Sequence, residues 1–223
     1  MTGPGLIIES SPHWRDKDTV PRIMVRVLIA LSPAVLASIY YFRWRAVLLY
    51  LVAAAACLAT EAAFFWARKK PISSLFDGSA VITAVLLAMC LPANLPLEMA
   101  AIGGVVAIGI GKQVFGGLGH NIFNPALVGR AFLAAAFPAA MTTWIPPTTL
   151  AVDTATFATP LADLRFHDAL VHGTLASLKN LFLGNVGGTL GGTSALALLI
   201  GGAYLLVRRA IDWRIPAGVV ASL

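Results

Sequence analysis

Residues 27–67 read VLIALSPAVLASIYYFRWRAVLLYLVAAAACLATEAAFFWA, two apolar runs divided by Arg43-Trp44-Arg45. The second run, residues 46–67, carries a single charge, Glu61, and is long enough for a membrane span, which needs about 20 apolar residues. The first, residues 27–42, reaches that length when the flank around Arg26 is counted. This stretch therefore predicts two membrane helices joined by a tight turn at Arg43-Trp44-Arg45. Glu61 admits two readings: a functional acid facing the protein interior, or a side chain that snorkels near a helix end.

Composition agrees over the whole chain. Of 223 residues 58% are apolar and 12% charged, and the mean hydropathy is +0.83. That is more apolar surface than a soluble chain of this length can bury, so lipid must face much of it. The formal charge of +6 does not point to nucleic acid, because the basic residues sit in short clusters beside apolar runs, as topology determinants do. Cys57 and Cys90 lie inside apolar segments with no Cys-x-x-Cys spacing, which reads as buried structural thiols rather than a disulfide, zinc or iron-sulfur site.

Before residue 27 the chain is mixed and polar, with Glu9, Asp16 and Asp18, and reads as a tail on the membrane surface rather than a cleavable leader. Beyond Arg68-Lys69-Lys70-Pro71, two shorter apolar stretches, residues 79–91 and 99–110, flank Pro92-Ala93-Asn94-Leu95-Pro96; each is marginal for a straight span. Gly109, Gly111, Gly116, Gly117 and Gly119 then crowd around Lys112-Gln113 and lead into Asn124-Pro125, where a helix to Phe137 begins. This predicts a broken or re-entrant helix, whose freed backbone must line a cavity or be buried in protein. A second glycine-rich entry, residues 184–193, opens the apolar run 194–207. For any one glycine, close helix packing is as good a reading as a ligand site. Asn124-Pro125 also reads as helix capping, and Asp77-Gly78-Ser79 as a turn and cap. His13, His120, His167 and His172 are scattered and read as surface or capping residues.

Charge asymmetry sets the orientation. With the amino terminus inside, twelve basic residues, among them Arg22, Arg68, Lys69, Lys70, Lys112, Arg208 and Arg209, share one side; Arg43, Arg45, Arg165 and Lys179 face the other. The expected organisation is a cytoplasmic tail at 1–22, transmembrane helices at 23–139, a periplasmic loop at 140–183, and a further helix with the start of the next at 184–223. About six spans result, with a seventh begun. The last apolar segment, 215–223, is half the length of a span, so continuation of the natural protein or cover by another subunit is expected.

The outer loop holds Asp153-Thr154-Ala155-Thr156-Phe157-Ala158-Thr159-Pro160-Leu161, of the form D-x-x-[ST]-x-A-T. It looks like the site at which a flavin transferase esterifies a threonine with the phosphate of FMN. Together with Ser11-Pro12-His13, Tyr41-Phe42-Arg43-Trp44-Arg45, Asp77-Gly78-Ser79-Ala80, Lys112-Gln113-Val114-Phe115-Gly116-Gly117 and Asn121-Ile122-Phe123-Asn124-Pro125-Ala126, this stretch resembles the RnfD/NqrB family, and more closely its RnfD form. The chain departs from the family at Phe157, where glycine is common, and at Gly192, where glutamate is common.

The resemblance implies an all-α integral membrane protein: a multi-span bundle with broken or re-entrant helices, similar to the urea-transporter-like inverted-repeat fold and ending after the first repeat. It implies FMN on Thr159 as a phosphoester, with Asp153, Thr156 and Ala158 completing the attachment motif, and a noncovalent riboflavin whose contacts the sequence does not assign. It implies a bacterial inner-membrane subunit of an Rnf-type ferredoxin:NAD oxidoreductase that moves sodium ions or protons, with other Rnf subunits and a flavin transferase as partners. No residue qualifies as a catalytic acid or nucleophile, and no metal ligands are assigned. A channel or permease without redox role is the alternative.

Overall fold

The computed structural model describes residues 19–69, 77–145, 182–184 and 187–222. Among these the regular structure is chiefly helical, with an isolated antiparallel bridge between Pro92 and Thr189. Helix α1, Val20–Ala67, combines length with a mean hydropathy of 2.0, enough to cross a membrane. It is not straight. Arg43 takes φ 52° and ψ −132°, outside helical space, and divides α1 into limbs of 23 and 24 residues. The Ser38 and Tyr50 hydroxyls lie 3.0 Å apart, whereas twelve residues of unbroken helix would separate them by about 18 Å. The chain therefore folds back at Arg43. Trp44 and Arg45 already belong to the second limb, so the expected three-residue turn is compressed into one residue in the left-handed half of backbone space.

Helices α2 (Ser79–Met89) and α3 (Leu97–Ile108) follow, and α3 runs directly into a π-helical turn, Gly109–Gln113. The connection at Pro92 and Pro96 supplies no backbone N–H at either proline and ends the helical ladder. Helix α4 (Pro125–Ala136) opens with proline in the first turn, and the Asn124 side chain accepts from Ala126 N at 3.0 Å, as the capping reading expects. Helix α5 (Pro138–Thr142) is a single short turn, α6 (Ala195–Val207) is capped by Ser194, and α7 (Arg214–Ala221) lies exposed at the end.

Helix α1 packs against α2, α3 and α6, and α3 packs against α4. Small residues form much of the interior: Ala34, Ala53, Ala80, Ala84, Ala88, Ala100, Ala107 and Ala126 are buried. Large apolar side chains point outward, including Leu36, Leu51, Ile102, Leu127, Leu199 and Val207. That distribution suits lipid, where close backbone packing rather than burial of large side chains holds helices together. The glycines follow the packing reading. A Cβ on Gly129 would sit 2.6 Å from Gly103 O, and one on Gly201 would sit 2.1 Å from Ala30 O.

The second glycine-rich entry meets the Pro92 break rather than the first glycine cluster. Leu190 N donates to Leu91 O at 3.0 Å and Gly191 N to Met89 O at 2.8 Å. Carbonyls left free where α2 stops are thereby satisfied by another interruption of the chain.

Candidate functional site

The open ends of α2 and α3 meet the second limb of α1 around Glu61. Its carboxylate is fully enclosed, at 0% exposure, while the adjacent Ala62 and Ala63 are exposed, so Glu61 faces the interior rather than snorkelling. Lys112 Nζ donates to Glu61 Oε1 and to Ser79 Oγ, and Gln113 Nε2 donates to the same Glu61 oxygen at 2.9 Å. Ser79 Oγ donates its own proton to Asp77 Oδ1 at 2.6 Å, and Ser79 N donates to that oxygen at 2.8 Å. Arg68, at the end of α1, donates from Nη2 to Gln113 O at 2.6 Å. A continuous polar chain thus runs from Asp77 through Ser79, Lys112 and Glu61 to Gln113.

Local structure explains how two consecutive residues reach one oxygen. In an α-helix, Lys112 and Gln113 would project in well-separated directions. The turn Gly109–Gln113 is instead π-helical, closed by Val114 N donating to Gly109 O at 3.0 Å. Such one-turn widenings recur at functional sites. Gly111 lets the turn press on α4, since a Cβ there would stand 2.9 Å from Pro125 Cα.

Burying this pair is not a cheap way to gain stability, because desolvation of two charges offsets most of their attraction. Two acceptors, Glu61 Oε2 and Gln113 Oε1, have no hydrogen-bond partner among the described residues. A buried charge inside a membrane protein is a functional suspect by default.

Asp77 does act as the turn-and-cap reading expects, and it also anchors Ser79, which holds Lys112. Glu61, Asp77 and Lys112, separate in sequence, are brought together. Ser79 and Gln113 were not legible as members; the available signal was that both are polar residues at the margins of apolar runs. His120 is exposed, in keeping with a surface histidine, and no group of three potential metal ligands occurs among the described residues. The flavin-attachment residues Asp153, Thr156, Ala158 and Thr159 lie outside the described residues.

The polar cluster is built from the same Asp77-Gly78-Ser79 and Lys112-Gln113 motifs that carry the resemblance, and residues 7–223 match one family throughout. The chain belongs to the NQR2, RnfD, RnfE family. Among its relatives in this family, the D subunit of the proton-translocating ferredoxin:NAD(+) oxidoreductase complex of Clostridium ljungdahlii is 41% identical over 97% of the chain and 66% of its own length. The D subunit of the Na(+)-translocating ferredoxin:NAD(+) oxidoreductase complex of Acetobacterium woodii is 47% identical over 97% of the chain and 67% of its own length. The D subunit of the ion-translocating oxidoreductase complex of Stutzerimonas stutzeri is 39% identical over 93% of the chain and 66% of its own length. The chain thus spans about two thirds of the curated relatives it matches.

Proposed function

We propose that this chain is an electron-transfer subunit of an Rnf-type membrane complex that couples oxidoreduction between ferredoxin and NAD to movement of sodium ions or protons. The observation that carries this reading is the pairing of an intact D-x-x-[ST]-x-A-T motif at 153–159 with similarity, over 93–97% of this chain, to D subunits of ion-translocating oxidoreductases. Thr159 would hold FMN through a phosphoester, with Asp153, Thr156 and Ala158 serving recognition by a flavin transferase. When bound, the flavin supplies one- and two-electron chemistry. The chain supplies the acceptor hydroxyl, its backbone setting and its side of the membrane. A threonine hydroxyl is a poor nucleophile unaided, which is why a separate transferase is part of the proposal. Riboflavin bound without a covalent link, and other Rnf subunits, are further expected partners.

A multi-span inner-membrane placement is part of the reading. Each limb of α1 exceeds the roughly 20 residues a span requires. Trp44 and Trp66, both exposed, stand about 33 Å apart along the second limb, matching a hydrocarbon core of about 30 Å bounded by interfacial aromatics. With the basic side cytoplasmic, Thr159 falls in a periplasmic loop. The inverted-repeat, urea-transporter-like architecture remains part of the proposal.

The test is to express the chain with and without a flavin transferase, look for fluorescence on denaturing gels, and map the labelled peptide. Transferase-dependent fluorescence at Thr159 supports the redox reading. A dark band with an unmodified Thr159 peptide would put the alternative ahead: an ion or small-solute channel or permease, which the paired chain breaks at Pro92 and Thr189 favour.

A further inference from the structure

The corner between α6 and α7 encloses a cleft with one cation at its edge. Helix α6 is apolar throughout and stops at Val207. Arg208 follows, its guanidinium 5.8 Å from the centroid of the Tyr204 ring, so that side chain lies back along α6. Arg209 then takes φ 52°. The turn is closed by Arg209 N donating to Leu206 O and Ala210 N donating to Leu205 O, both at 3.0 Å. Glycine is the usual residue where a helix ends in left-handed space; here an arginine is held there instead. Asp212 Oδ1 accepts from Arg214 N at 3.1 Å, so this carboxylate caps the start of α7.

Leu206, Arg209, Ile211, Asp212 and Trp213 line the cleft, whose volume is about 490 Å³. Among the described residues the Arg209 guanidinium has no hydrogen bond or ion pair. The apolar lining is open to the surroundings: Trp213 is 66% exposed, and Leu206 and Ile211 are 39% exposed. Segment 208–214 holds three arginines to one aspartate, so the local field favours an anion.

An apolar trough with a cation at its lip fits a molecule that has an anionic head and an apolar body. A guanidinium fork matches two phosphate oxygens, and an exposed tryptophan beside an apolar helix suits the level of lipid headgroups. Arginines clustered at the end of such a helix attract anionic lipid. An acidic protein fits less well, because a stable interface takes about 800 Å² from each partner, more than five residues offer. A free phosphate ion would leave Leu206, Ile211 and Trp213 unused.

We infer that this corner binds one anionic phospholipid, its phosphate on Arg209 and an acyl chain along Leu206, Ile211 and Trp213. Arg208 and Arg214 strengthen the attraction without touching the phosphate. The inference rests on lipid surrounding α6 and on neither the flavin nor the Glu61 cluster, so it can fail separately from the proposed function.

The test is native mass spectrometry and thermal unfolding of the full chain after reconstitution in phosphatidylcholine, with and without phosphatidylglycerol. One phosphatidylglycerol should stay bound through detergent washing while phosphatidylcholine is lost, and it should raise the unfolding temperature. Arg209→Gln should weaken that binding about tenfold or more, the scale of a lost charge-assisted hydrogen bond, and Arg209→Lys should keep part of it. Arg209→Gly should lose the lipid as well, yet unfold no earlier than the unaltered chain in phosphatidylcholine alone, because φ 52° suits glycine. That variant separates loss of the ligand from damage to the corner. Arg45→Gln removes a charge outside the cleft and should change nothing. Equal retention of the two lipids would overturn the proposal, as would bound phosphatidylglycerol that survives Arg209→Gln. Displacement of the lipid by inorganic phosphate would also overturn it, since the cleft would then select a free anion.

Discussion

Lys112 Nζ donates to Glu61 Oε1 across 51 positions of sequence, with the two side chains 3% and 0% exposed. The pair links the turn after α3 to the last third of the second limb of α1, and Ser79 extends the link to the start of α2. Because solvent reaches neither charge, removing one leaves the other stranded. Lys112→Met should therefore cost about 3–5 kcal/mol, the range for breaking one side of a buried ion pair. Glu61→Gln combined with Lys112→Met should recover much of that loss. Unfolding in mixed detergent micelles measures both, and additivity of the two single changes would contradict the coupling.

Adjacent glycines in α6 make opposite predictions. A Cβ on Gly201 would lie 2.1 Å from the Ala30 carbonyl oxygen on α1, whereas one on Gly202 meets nothing within 4 Å. Gly201→Ala should force the helices apart and destabilise by about 1–3 kcal/mol, as overpacking does. Gly202→Ala should be neutral or gain about 0.5–1 kcal/mol through lower chain entropy in the unfolded state. Thermal unfolding of the two variants side by side checks this; equal effects would mean that α1 and α6 do not approach as described.

Several features of this arrangement are legible in the sequence because they rest on local chemistry. Hydropathy marks residues 27–67, Asn124-Pro125 carries its own cap, and Asp77-Gly78-Ser79 carries its own turn. Glu61 stands out because a lone carboxylate in an apolar run is costly. What sequence does not reveal is tertiary. Ser79 reads as a cap residue until Lys112 reaches it, and Gln113 reads as an ordinary polar residue until a π-turn swings it beside Lys112. The pairing of residues 189–191 with residues 89–92 depends on backbone hydrogen bonds, which carry no side-chain signal.

Orientation can be tested without the flavin. On the proposed reading, the asymmetry of arginine and lysine would put the 140–183 loop outside and the Arg68-Lys69 end of α1 inside. The native thiols interfere little, since Cys57 is fully buried and Cys90 half-buried. A membrane-impermeant thiol reagent applied to spheroplasts should label Thr154→Cys and leave Lys69→Cys unmodified until the membrane is permeabilised. The reverse pattern would invert the topology and place Thr159 where an exported transferase has no access.

The attachment motif makes the sharpest chemical prediction. Only a side-chain hydroxyl at 159 accepts a phosphoester, so Thr159→Ala should abolish transferase-dependent fluorescence while Thr159→Ser retains part of it. Thr154 and Thr156 also carry hydroxyls, and flavin on either after Thr159→Ala would show that position, not residue type, had been misread. On the proposed reading, Phe157 stands two residues before the acceptor, and its bulk would hinder a transferase there. Phe157→Gly should therefore raise the extent of modification at fixed transferase level. An unchanged extent would mean that the cleft admits an aromatic ring, and that recognition resides in Asp153, Thr156 and Ala158.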